Sequence, residues 1–365
     1  MPTPSDPRPD RRRSPGRKGH GALMRRLTRT VAAAALATAL ALVGGCSSDS
    51  EKSESGGGNG AALEKVTYLT SFGNFGRDSY AWVAKDKGFF KEAGFEVDIK
   101  PGQGTGSVIQ TITGGQADFG PIDLTGGILQ LGNGQAKDFV AVAAIQQRTM
   151  AAIVTVEGKN IATPKDLEGK KLADTPTSVV RNLFPTYARL AGIDGSKVTW
   201  VNGEAQGLIG MLGSGSVDGI GQFVVGQPTV KTVTKKEPVI LPYSNVMQDL
   251  YGNALITSTK IAKEKPEMVK KFTAALLKGL EYSLANPDEA AEILKKNVPA
   301  AVPAAASAEL ALMAAYVRSS NSGTAIGTLD SGRVAKSIAL LQGAGSLKQN
   351  LTPDQIIDFN LAPKA

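Results

Sequence analysis

From Val66 onward, short apolar runs alternate with longer segments in which apolar residues recur every three or four positions. Gly, Pro or Asp bounds many of the short runs, which is typical of buried strands, whereas the longer segments indicate amphipathic helices. The predicted strands are 66–70, 95–100, 117–120, 139–144, 151–156, 171–174, 198–202, 217–221, 239–241 and 253–258. This alternation predicts an α/β fold with largely parallel strands.

Helices are predicted between these strands and throughout the C-terminal part of the chain. They cover 78–90, 107–113, 179–191, 205–212, 226–234, 267–285 and 287–294, and weaker helices follow a Pro- and Ala-rich connection at 297–306. The apolar stripe along 267–285 is typical of core packing, and we assign it no function. The pattern therefore predicts two α/β blocks followed by a helical C-terminal region.

The first 45 residues differ from the rest in charge. They contain nine Arg and Lys and two Asp, a net charge of +7, whereas the whole chain has a formal charge of +8. Residues 46–365 therefore carry a net charge of about +1. Because the excess of cations is confined to the leader, the charge does not predict a nucleic-acid-binding surface.

An apolar run at 31–43 follows these cations and ends in small residues before Cys46. This order is that of a secretory signal peptide, and the run is too short to span a membrane. Val43-Gly44-Gly45-Cys46 resembles the lipobox of bacterial lipoproteins, which implies a diacylglycerol on Cys46 and anchoring at the outer face of the cell membrane. The alternative is an ordinary secretory signal with an incidental cysteine.

Residues 1–45 are therefore predicted to be a signal peptide, and residues 46–62, rich in Ser, Gly, Glu and Lys, to be a flexible tether. Translation could begin at Met1 or Met24, because a leader of ordinary length would start at Met24. Arg25-Arg26 leaves both general secretion and twin-arginine export open.

The chain has one His and one Cys, and both His20 and Cys46 lie in or next to the leader. The remaining residues therefore provide no Ser–His–Asp triad, no Cys–His dyad and no His-ligated metal site. Asp118 and Asp123 are five positions apart, but we interpret Asp118 as structural, which leaves no carboxylate pair for hydrolysis. We predict no catalytic residue, no metal and no cofactor.

Five segments resemble motifs of one family of binding proteins. In chain order they are YAWVAKDKGFFKEAGF at 80–95, GGQADFG at 114–120, TPKDLEGKKL at 163–172, YGNALI at 251–256 and PEMVKKF at 266–272. They are similar to motifs of the NMT1/THI5-like or SsuA-like substrate-binding proteins, which serve ABC importers of sulfonates, taurine, nitrate and thiamine pyrimidines. The resemblance extends over most of the chain after the tether.

The resemblance implies a two-lobe periplasmic-binding-protein-like fold of type II. The chain would cross between lobes near 156–162 and 242–250, with lobe 1 formed by 63–157 plus 249–365 and lobe 2 by 158–248. A small-molecule ligand would bind in the cleft by lobe closure. The closed protein, a monomer, would then dock on an ABC permease and its ATPase.

Ligands of open parallel sheets lie beyond the carboxyl ends of the strands. At these ends lobe 1 offers aromatic rings that can stack on a flat ligand, a guanidinium and a helix start that can bind an anion, and a carboxylate that favours N–H donors. The candidate residues of lobe 1 are Phe72, Asn74, Phe75, Arg77, Tyr80, Gly104, Thr105 and Asp123.

Each kind of candidate has a structural alternative. Phe72 and Phe75 could pack within the lobe, and Arg77 could be a solvated charge at a helix start. The loop at 102–106 could be a tight turn. Asp123 could cap the next helix, which is a common role for Asp.

Lobe 2 offers hydroxyl groups and free N–H groups at the start of a predicted helix, which suit an anion or a carbonyl. A second strand end there provides an amide and an aromatic ring that could act as a lid. The candidate residues of lobe 2 are Thr175, Thr177, Ser178, Arg181, Gln222 and Phe223.

These residues predict a pyrimidine-type heterocycle as the first choice of ligand, because of Asp123 and the aromatic pair. An alkanesulfonate or related anion is the second choice, because of Arg77, Arg181 and the helix N-termini. Two other functions stay open: a ligand-sensing lipoprotein that signals to a membrane partner, and a pyrimidine synthase of the fungal type. The synthase uses an active-site His and a Cys-rich motif, and residues 47–365 contain neither residue type.

Overall fold

A computed structural model describes residues 62–247, 250–318 and 325–364. The predicted signal peptide, Cys46 and all of the predicted tether except its last residue lie outside the described residues.

Short strands and helices alternate along the described chain, as the apolar pattern predicts. The strands are β1 (Glu64–Leu69), β2 (Phe72–Gly73), β3 (Phe95–Lys100), β4 (Gly102–Gln103), β5 (Phe119–Asp123), β6 (Phe139–Ala144), β7 (Ala151–Val156), β8 (Lys171–Asp174), β9 (Thr199–Asn202), β10 (Gly219–Phe223), β11 (Pro238–Pro242) and β12 (Asn253–Ser258). The helices are α1 (Ser79–Asp86), α2 (Phe89–Glu92), α3 (Thr105–Thr113), α4 (Leu124–Gly132), α5 (Val179–Leu190), α6 (Leu208–Gly213), α7 (Gln227–Thr234), α8 (Thr259–Glu264), α9 (Pro266–Ala285), α10 (Pro287–Asn297), α11 (Pro303–Val317) and α12 (Ser331–Gly343).

Two five-stranded sheets define the two lobes. The sheet of lobe 1 has the order β3-β1-β5-β12-β6, and the sheet of lobe 2 has the order β11-β7-β10-β8-β9. Each sheet contains one strand that is antiparallel to both of its neighbours, β12 in lobe 1 and β7 in lobe 2. β7 is the first strand that the chain forms on entering lobe 2, and β12 is the first strand that it forms on returning to lobe 1. The α/β class, the two crossings and the helical C-terminal region are confirmed.

The first crossing lies earlier than predicted. Ala151–Val156 pairs with β10 and β11 and therefore belongs to lobe 2, so the chain leaves lobe 1 between Ala144 and Ala151 rather than at 156–162. A short apolar strand buried on both faces suits either sheet, and only its pairing partners decide which one it joins. The return connection runs between Pro242 and Asn253.

The core of lobe 1 lies between its sheet and α9. Phe272 of α9 stacks on Phe119 of β5 at a centroid distance of 4.1 Å and on Phe90 of α2 at 5.0 Å. Met268, Leu276 and Leu280 are buried on the same helix, which confirms that its apolar stripe is a packing surface. The same helix packs against α1.

The C-terminal helices were underpredicted, although they connect the lobes. α11 contacts α7 of lobe 2 as well as α10 of lobe 1. The Ala-rich sequence of α11 has weak amphipathic periodicity, because small residues pack on several sides of the helix. The two-stranded pairing of β2 with β4 was also missed, since two residues are too few to form a pattern.

Candidate functional site

The loops that follow the strands of the two sheets meet along one interface. The carbonyl oxygen of Gln103, at the end of β4, accepts hydrogen bonds from the hydroxyls of Thr175 (2.9 Å) and Thr177 (3.3 Å) in lobe 2. The side-chain Oε1 of Gln103 accepts a third bond, from the backbone N–H of Ala205 (3.0 Å). One residue of lobe 1 therefore connects to two loops of lobe 2, and the lobes are closed on each other.

Gly104 allows this close approach. Its φ of +95° lies in the region that favours glycine, and a Cβ at this position would be 3.2 Å from Ser178 Cα. The backbone N–H of Gly106 donates to the carbonyl oxygen of Thr177 at 3.1 Å, and Thr105 beside it is buried. Here the start of α3 contacts lobe 2 itself, whereas the sequence predicts that it binds an anion.

The hydroxyl groups of lobe 2 have structural partners too. The Oγ of Ser178 accepts a hydrogen bond from the N–H of Val180 at 3.1 Å and caps α5, while Thr175 and Thr177 donate to lobe 1. These three residues lie at the lobe interface as the sequence predicts. Their hydroxyls connect the lobes or cap the helix.

Two aromatic rings, one from each lobe, lie against the guanidinium of Arg77, and a third ring packs on one of them. The Cζ of Arg77 lies 4.4 Å from the ring centroid of Phe75 and 4.8 Å from that of Phe223, and Phe223 meets Phe72 edge-on at 5.9 Å. The structure therefore brings these four predicted residues together from both lobes. Both cation–π contacts are buried, where such contacts are stronger than at exposed sites.

Two carboxylates already balance the charge of Arg77. Its Nη1 lies 3.5 Å from Glu309 Oε2, and its Nε lies 3.8 Å from Asp78 Oδ2, with exposed fractions of 1% for Arg77, 0% for Glu309 and 2% for Asp78. Burial raises the pKa of Asp78 to about 6 and raises the pKa of Glu309, while Arg77 lowers both. Because two acids face one cation, Arg77 does not offer an unbalanced positive charge to an anionic ligand.

Glu309 is a central residue of the interface that the sequence analysis missed. It lies 232 positions from Arg77 and also accepts a hydrogen bond from the hydroxyl of Thr229, in α7 of lobe 2, at 2.5 Å. In the sequence, Glu309 is recognisable only as an acidic residue within an Ala-rich segment, and such a residue is usually exposed to solvent. Its partners become adjacent only when α11 packs between the lobes.

Asp123 caps helix α4, which is the structural role stated above as the alternative to ligand binding. Its Oδ1 accepts from the N–H of Gly126 at 3.1 Å at the start of α4, and its Oδ2 accepts from the hydroxyl of Thr149 at 3.3 Å. Burial raises its pKa to about 7, against the lowering effect of these hydrogen bonds. Since both oxygens have protein partners, Asp123 has little remaining capacity for a ligand.

Asp174 and Gln222 carry buried polar atoms without hydrogen-bond partners among the described residues. The Oδ1 of Asp174 accepts from the N–H of Thr175 at 2.7 Å, whereas its Oδ2 lies against Gly221 and is unpaired. The Oε1 of Gln222 accepts from the N–H of Phe223 at 2.9 Å, and its Nε2 is unpaired. Because β8 and β10 are adjacent and parallel, one acceptor and one donor lie at the same edge of the lobe 2 sheet.

Tyr80 lies inside lobe 1, and its assignment to the ligand site was wrong. Its hydroxyl pairs with that of Tyr68 at 3.1 Å, and both side chains are buried in the core. Burial raises its pKa well above the ordinary value for tyrosine. The residue lies on the face of α1 that packs against α9, as the close approach of Gly279 to its backbone shows.

Arg181 is separate from the interface cluster. Its Nη1 donates to Asn202 Oδ1 at 2.6 Å, and its Cζ lies 5.5 Å from the ring centroid of Trp200. Val180 and Leu183 are buried on the inner side of α5, which leaves residue 181 on the other side. There Arg181 lines a surface cavity within lobe 2, and its place in the cleft stays a prediction.

A cavity of about 460 Å³ lies between the lobes. The loop Asn74–Gly76 forms its lobe 1 wall, α6 and α7 form its lobe 2 wall, and the connection from α10 to α11 closes a third side. Of the predicted residues, Asn74 and Phe75 line it. Gln206 also lines it; the position of this residue in the loop after β9 was a signal that the sequence analysis did not use.

Within residues 62–247, 250–318 and 325–364, no helix has both the length and the apolar character that a membrane span needs. The same ranges contain no cluster of three or more His, Cys, Asp or Glu side chains that could hold a metal ion.

Comparison with solved structures identifies the fold as that of periplasmic binding proteins. The alkanesulfonate-binding protein SsuA of Xanthomonas axonopodis pv. citri, bound to MOPS, superposes with a TM-score of 0.65 at 14% identity, over 82% of this chain and 99% of that one. The nitrate-binding protein NrtA of Synechocystis PCC 6803 gives 0.64 at 10% identity, over 82% and 87%. A zinc-bound ligand-binding component of an ABC-type import system of Staphylococcus aureus gives 0.60 at 10% identity, over 82% and 97%.

A family model connects the sequence to the same group. No curated protein sequence matches this chain significantly. The model described as NMT1/THI5 like matches residues 79–290, which is 212 of the 365 residues. This family and the structural neighbours consist mainly of substrate-binding proteins. Since the match extends over more than half of the chain and agrees with the fold, the chain belongs to the NMT1/THI5-like family.

Proposed function

We propose that this protein is an extracytoplasmic solute-binding protein that delivers a small molecule to an ABC importer. The observation that carries the proposal is the closed interface at Gln103, where loops of both sheets meet next to a cavity. Two lobes joined by two crossings can open and close as a hinge, and a ligand that touches both lobes favours the closed arrangement. Family membership and the fold support the same role.

The described polar groups favour an uncharged heterocycle over an anion as ligand. Asp174 Oδ2 and Gln222 Nε2 present an acceptor and a donor, which complement the N–H and ring nitrogen or carbonyl of a pyrimidine-type edge. Arg77 was one of the arguments for a sulfonate, beside Arg181 and the helix N-termini, and Asp78 and Glu309 already balance its charge. Asp123 no longer contributes to the argument, because it caps α4.

Ligand binding is expected to raise the melting temperature of the purified mature protein. A ligand at 100 times its dissociation constant stabilises the folded state by about 2.7 kcal/mol. The panel consists of aminopyrimidines, thiamine, riboflavin, taurine, alkanesulfonates, nitrate and aromatic carboxylates, measured by thermal shift and confirmed by calorimetry. An aminopyrimidine hit supports the preferred class. A sulfonate hit supports the binding function but makes a sulfonate, rather than a heterocycle, the preferred ligand class. If no member of the panel binds, the proposal is contradicted.

The second part of the proposal is a lipid anchor on Cys46 that holds the protein at the outer face of the membrane. Replacing Cys46 with Ser removes the thiol that accepts the diacylglycerol, so we expect the protein to move from the membrane fraction to the soluble extracytoplasmic fraction. Labelling with radioactive palmitate should be lost together with this shift. Ser47→Ala is the control and should remain membrane-bound and labelled; membrane retention of the Cys46→Ser variant would refute the anchor.

A further inference from the structure

The cavity between the lobes has walls from both lobes and from the C-terminal helices. Its volume of about 460 Å³ falls within the range of roughly 300–1,000 Å³ that is usual for small-molecule sites. The walls come from Asn74–Gly76, from α6 and α7, and from the connection between α10 and α11. A molecule in this cavity would therefore contact both sides of the closing interface.

The described walls of this cavity carry no formal charge. None of its sixteen lining residues is Asp, Glu, Lys or Arg, although these types make up 20% of the chain and would supply about three of sixteen by composition. Most of the surface is apolar, and its larger side chains are Phe75, Ile209, Val233, Leu294, Val298 and Val302. An anion placed here would lose its hydration without meeting a cation, which is costly.

Two valines at the rim are unusually accessible. Val233 of α7 is 50% exposed and Val302 at the start of α11 is 43% exposed. They are two of only five large apolar side chains described as exposed, and they line this cavity from two different walls. An apolar occupant would remove both side chains from water, which favours binding.

Asn74 provides a polar contact in the same cavity. Its Oδ1 is buried and has no hydrogen-bond partner among the described residues. A buried acceptor without a partner costs free energy, and a ligand N–H or O–H would recover it. The cavity thus combines apolar walls with one unpaired acceptor.

We propose that this cavity binds an uncharged, predominantly apolar small molecule that donates a hydrogen bond to Asn74 Oδ1. The inference goes beyond the proposed function, because neither Asp174 nor Gln222 lines this cavity and it is therefore a site separate from the one proposed for the heterocycle. It predicts selection by apolar bulk and against charge. It also places Val233 and Val302 among the residues that determine specificity.

The test compares molecules of one skeleton that differ in charge. Calorimetry of the mature protein with naphthalene-2-carboxamide and naphthalene-2-sulfonate should give at least tenfold tighter binding of the amide. Equal or tighter binding of the sulfonate would overturn the inference and leave the proposed function standing. Failure of both naphthalenes overturns the inference too, and the nutrient panel described above then decides the proposed function independently.

Two variants locate the binding site of the amide. Val302→Asp adds a charge at the rim and should weaken binding at least tenfold, and Asp suits the N-cap position that Val302 occupies, so α11 is retained. Leu312→Asp is the matched control, since Leu312 is 41% exposed on the same helix outside the cavity, and it should bind as the native protein does. Equal affinities of the native protein and the Val302→Asp variant would refute the assignment.

The hydrogen bond to Asn74 has its own control. Asn74→Ala should weaken binding of the amide about tenfold, the loss of one hydrogen bond of about 1.4 kcal/mol. The N,N-dimethyl amide has no N–H to donate, so its affinity should be the same for the native protein and the variant. Weakening of both compounds alike would contradict a donated bond at this atom.

Discussion

Replacing Arg77 with Met is expected to lower the free energy of unfolding by about 3–5 kcal/mol, because it leaves two buried carboxylates without their counterion. Asp78 and Glu309 are 2% and 0% exposed, and Met replaces the unbranched stem of Arg without its charge. Urea unfolding followed by circular dichroism measures the loss. The substitution also removes the cation that lies over Phe75 and Phe223, so the closed interface should weaken as well.

The effect of Arg77→Met should grow with pH. Arg77 lowers the pKa of Asp78 and of Glu309, so without it both carboxyls hold their protons to higher pH in the folded state. The folded variant then binds more protons than the unfolded chain over a wider range, and its stability falls more steeply as pH rises. We therefore expect a smaller loss at pH 5 than at pH 8.

A surface ion pair provides the control for Arg77. Lys265 Nζ lies 2.6 Å from Glu64 Oε1, closer than the buried pairs, yet the two side chains are 53% and 42% exposed. Lys265→Met should change the free energy of unfolding by less than about 1 kcal/mol. Equal losses of unfolding free energy in the two variants would show that the buried carboxylates do not depend on Arg77. A loss below about 1 kcal/mol for Arg77→Met would show the same.

Replacing Asp174 with Asn should make the protein more stable at pH 8 by up to about 4 kcal/mol and leave its stability nearly unchanged at pH 4. Burial raises the pKa of Asp174 from an ordinary 3.8 to about 7, against the lowering effects of nearby hydrogen-bond donors and of the Arg181 charge. Between these values the folded protein holds a proton that the unfolded chain has released. Stability is therefore lost as pH rises from about 4 to 7, and a neutral Asn removes that loss.

Unfolding free energies from pH 4 to 8 test this prediction. The slope should become shallower in Asp174→Asn and should not vanish, because burial also raises the pKa of Asp123 to about 7 and that of Asp78 to about 6. Asp98→Asn is the control, since Asp98 is 64% exposed, and it should retain the native slope. A native slope in Asp174→Asn would mean that Asp174 is ionised in the folded protein at low pH.

The same carboxylate offers a link to ligand binding. A ligand N–H that donates to Asp174 Oδ2 would favour the ionised form, so binding of such a ligand should release a proton near pH 6. Calorimetry in buffers of different ionisation enthalpy would detect this release during the ligand screen. The pH dependence of stability and the chemistry of the site are thus two consequences of one buried group.

The apolar pattern was sufficient for most secondary structure and for the class of the fold. Strands β3, β6, β7, β8 and β12 have the predicted bounds, because their short length and the turn residues at their ends favour strands over helices. β5 was placed too early, since Pro121 suggested an end. The strand continues through Pro121 because β1 pairs with β5 only at Phe119.

The sequence also contained most residues of the lobe interface, because strand ends in parallel sheets converge on one edge. It did not reveal their roles. Gln103 accepts bonds across the lobes, Asp123 caps a helix, and Tyr80 and Arg181 lie elsewhere. A hydroxyl or carboxylate at a strand end can serve a helix, the other lobe or a ligand, and its geometry decides among these.

The sequence alone determined the alternation of elements, the family and the list of strand-end residues, all of which depend on local patterns. Only the tertiary structure decided that β7 joins lobe 2, that Glu309 balances Arg77 and that an uncharged cavity lies between the lobes. The physical reason is distance along the chain. Pairing partners, buried counterions and cavity walls come from segments as far apart as 232 positions, and no local pattern records which of them meet.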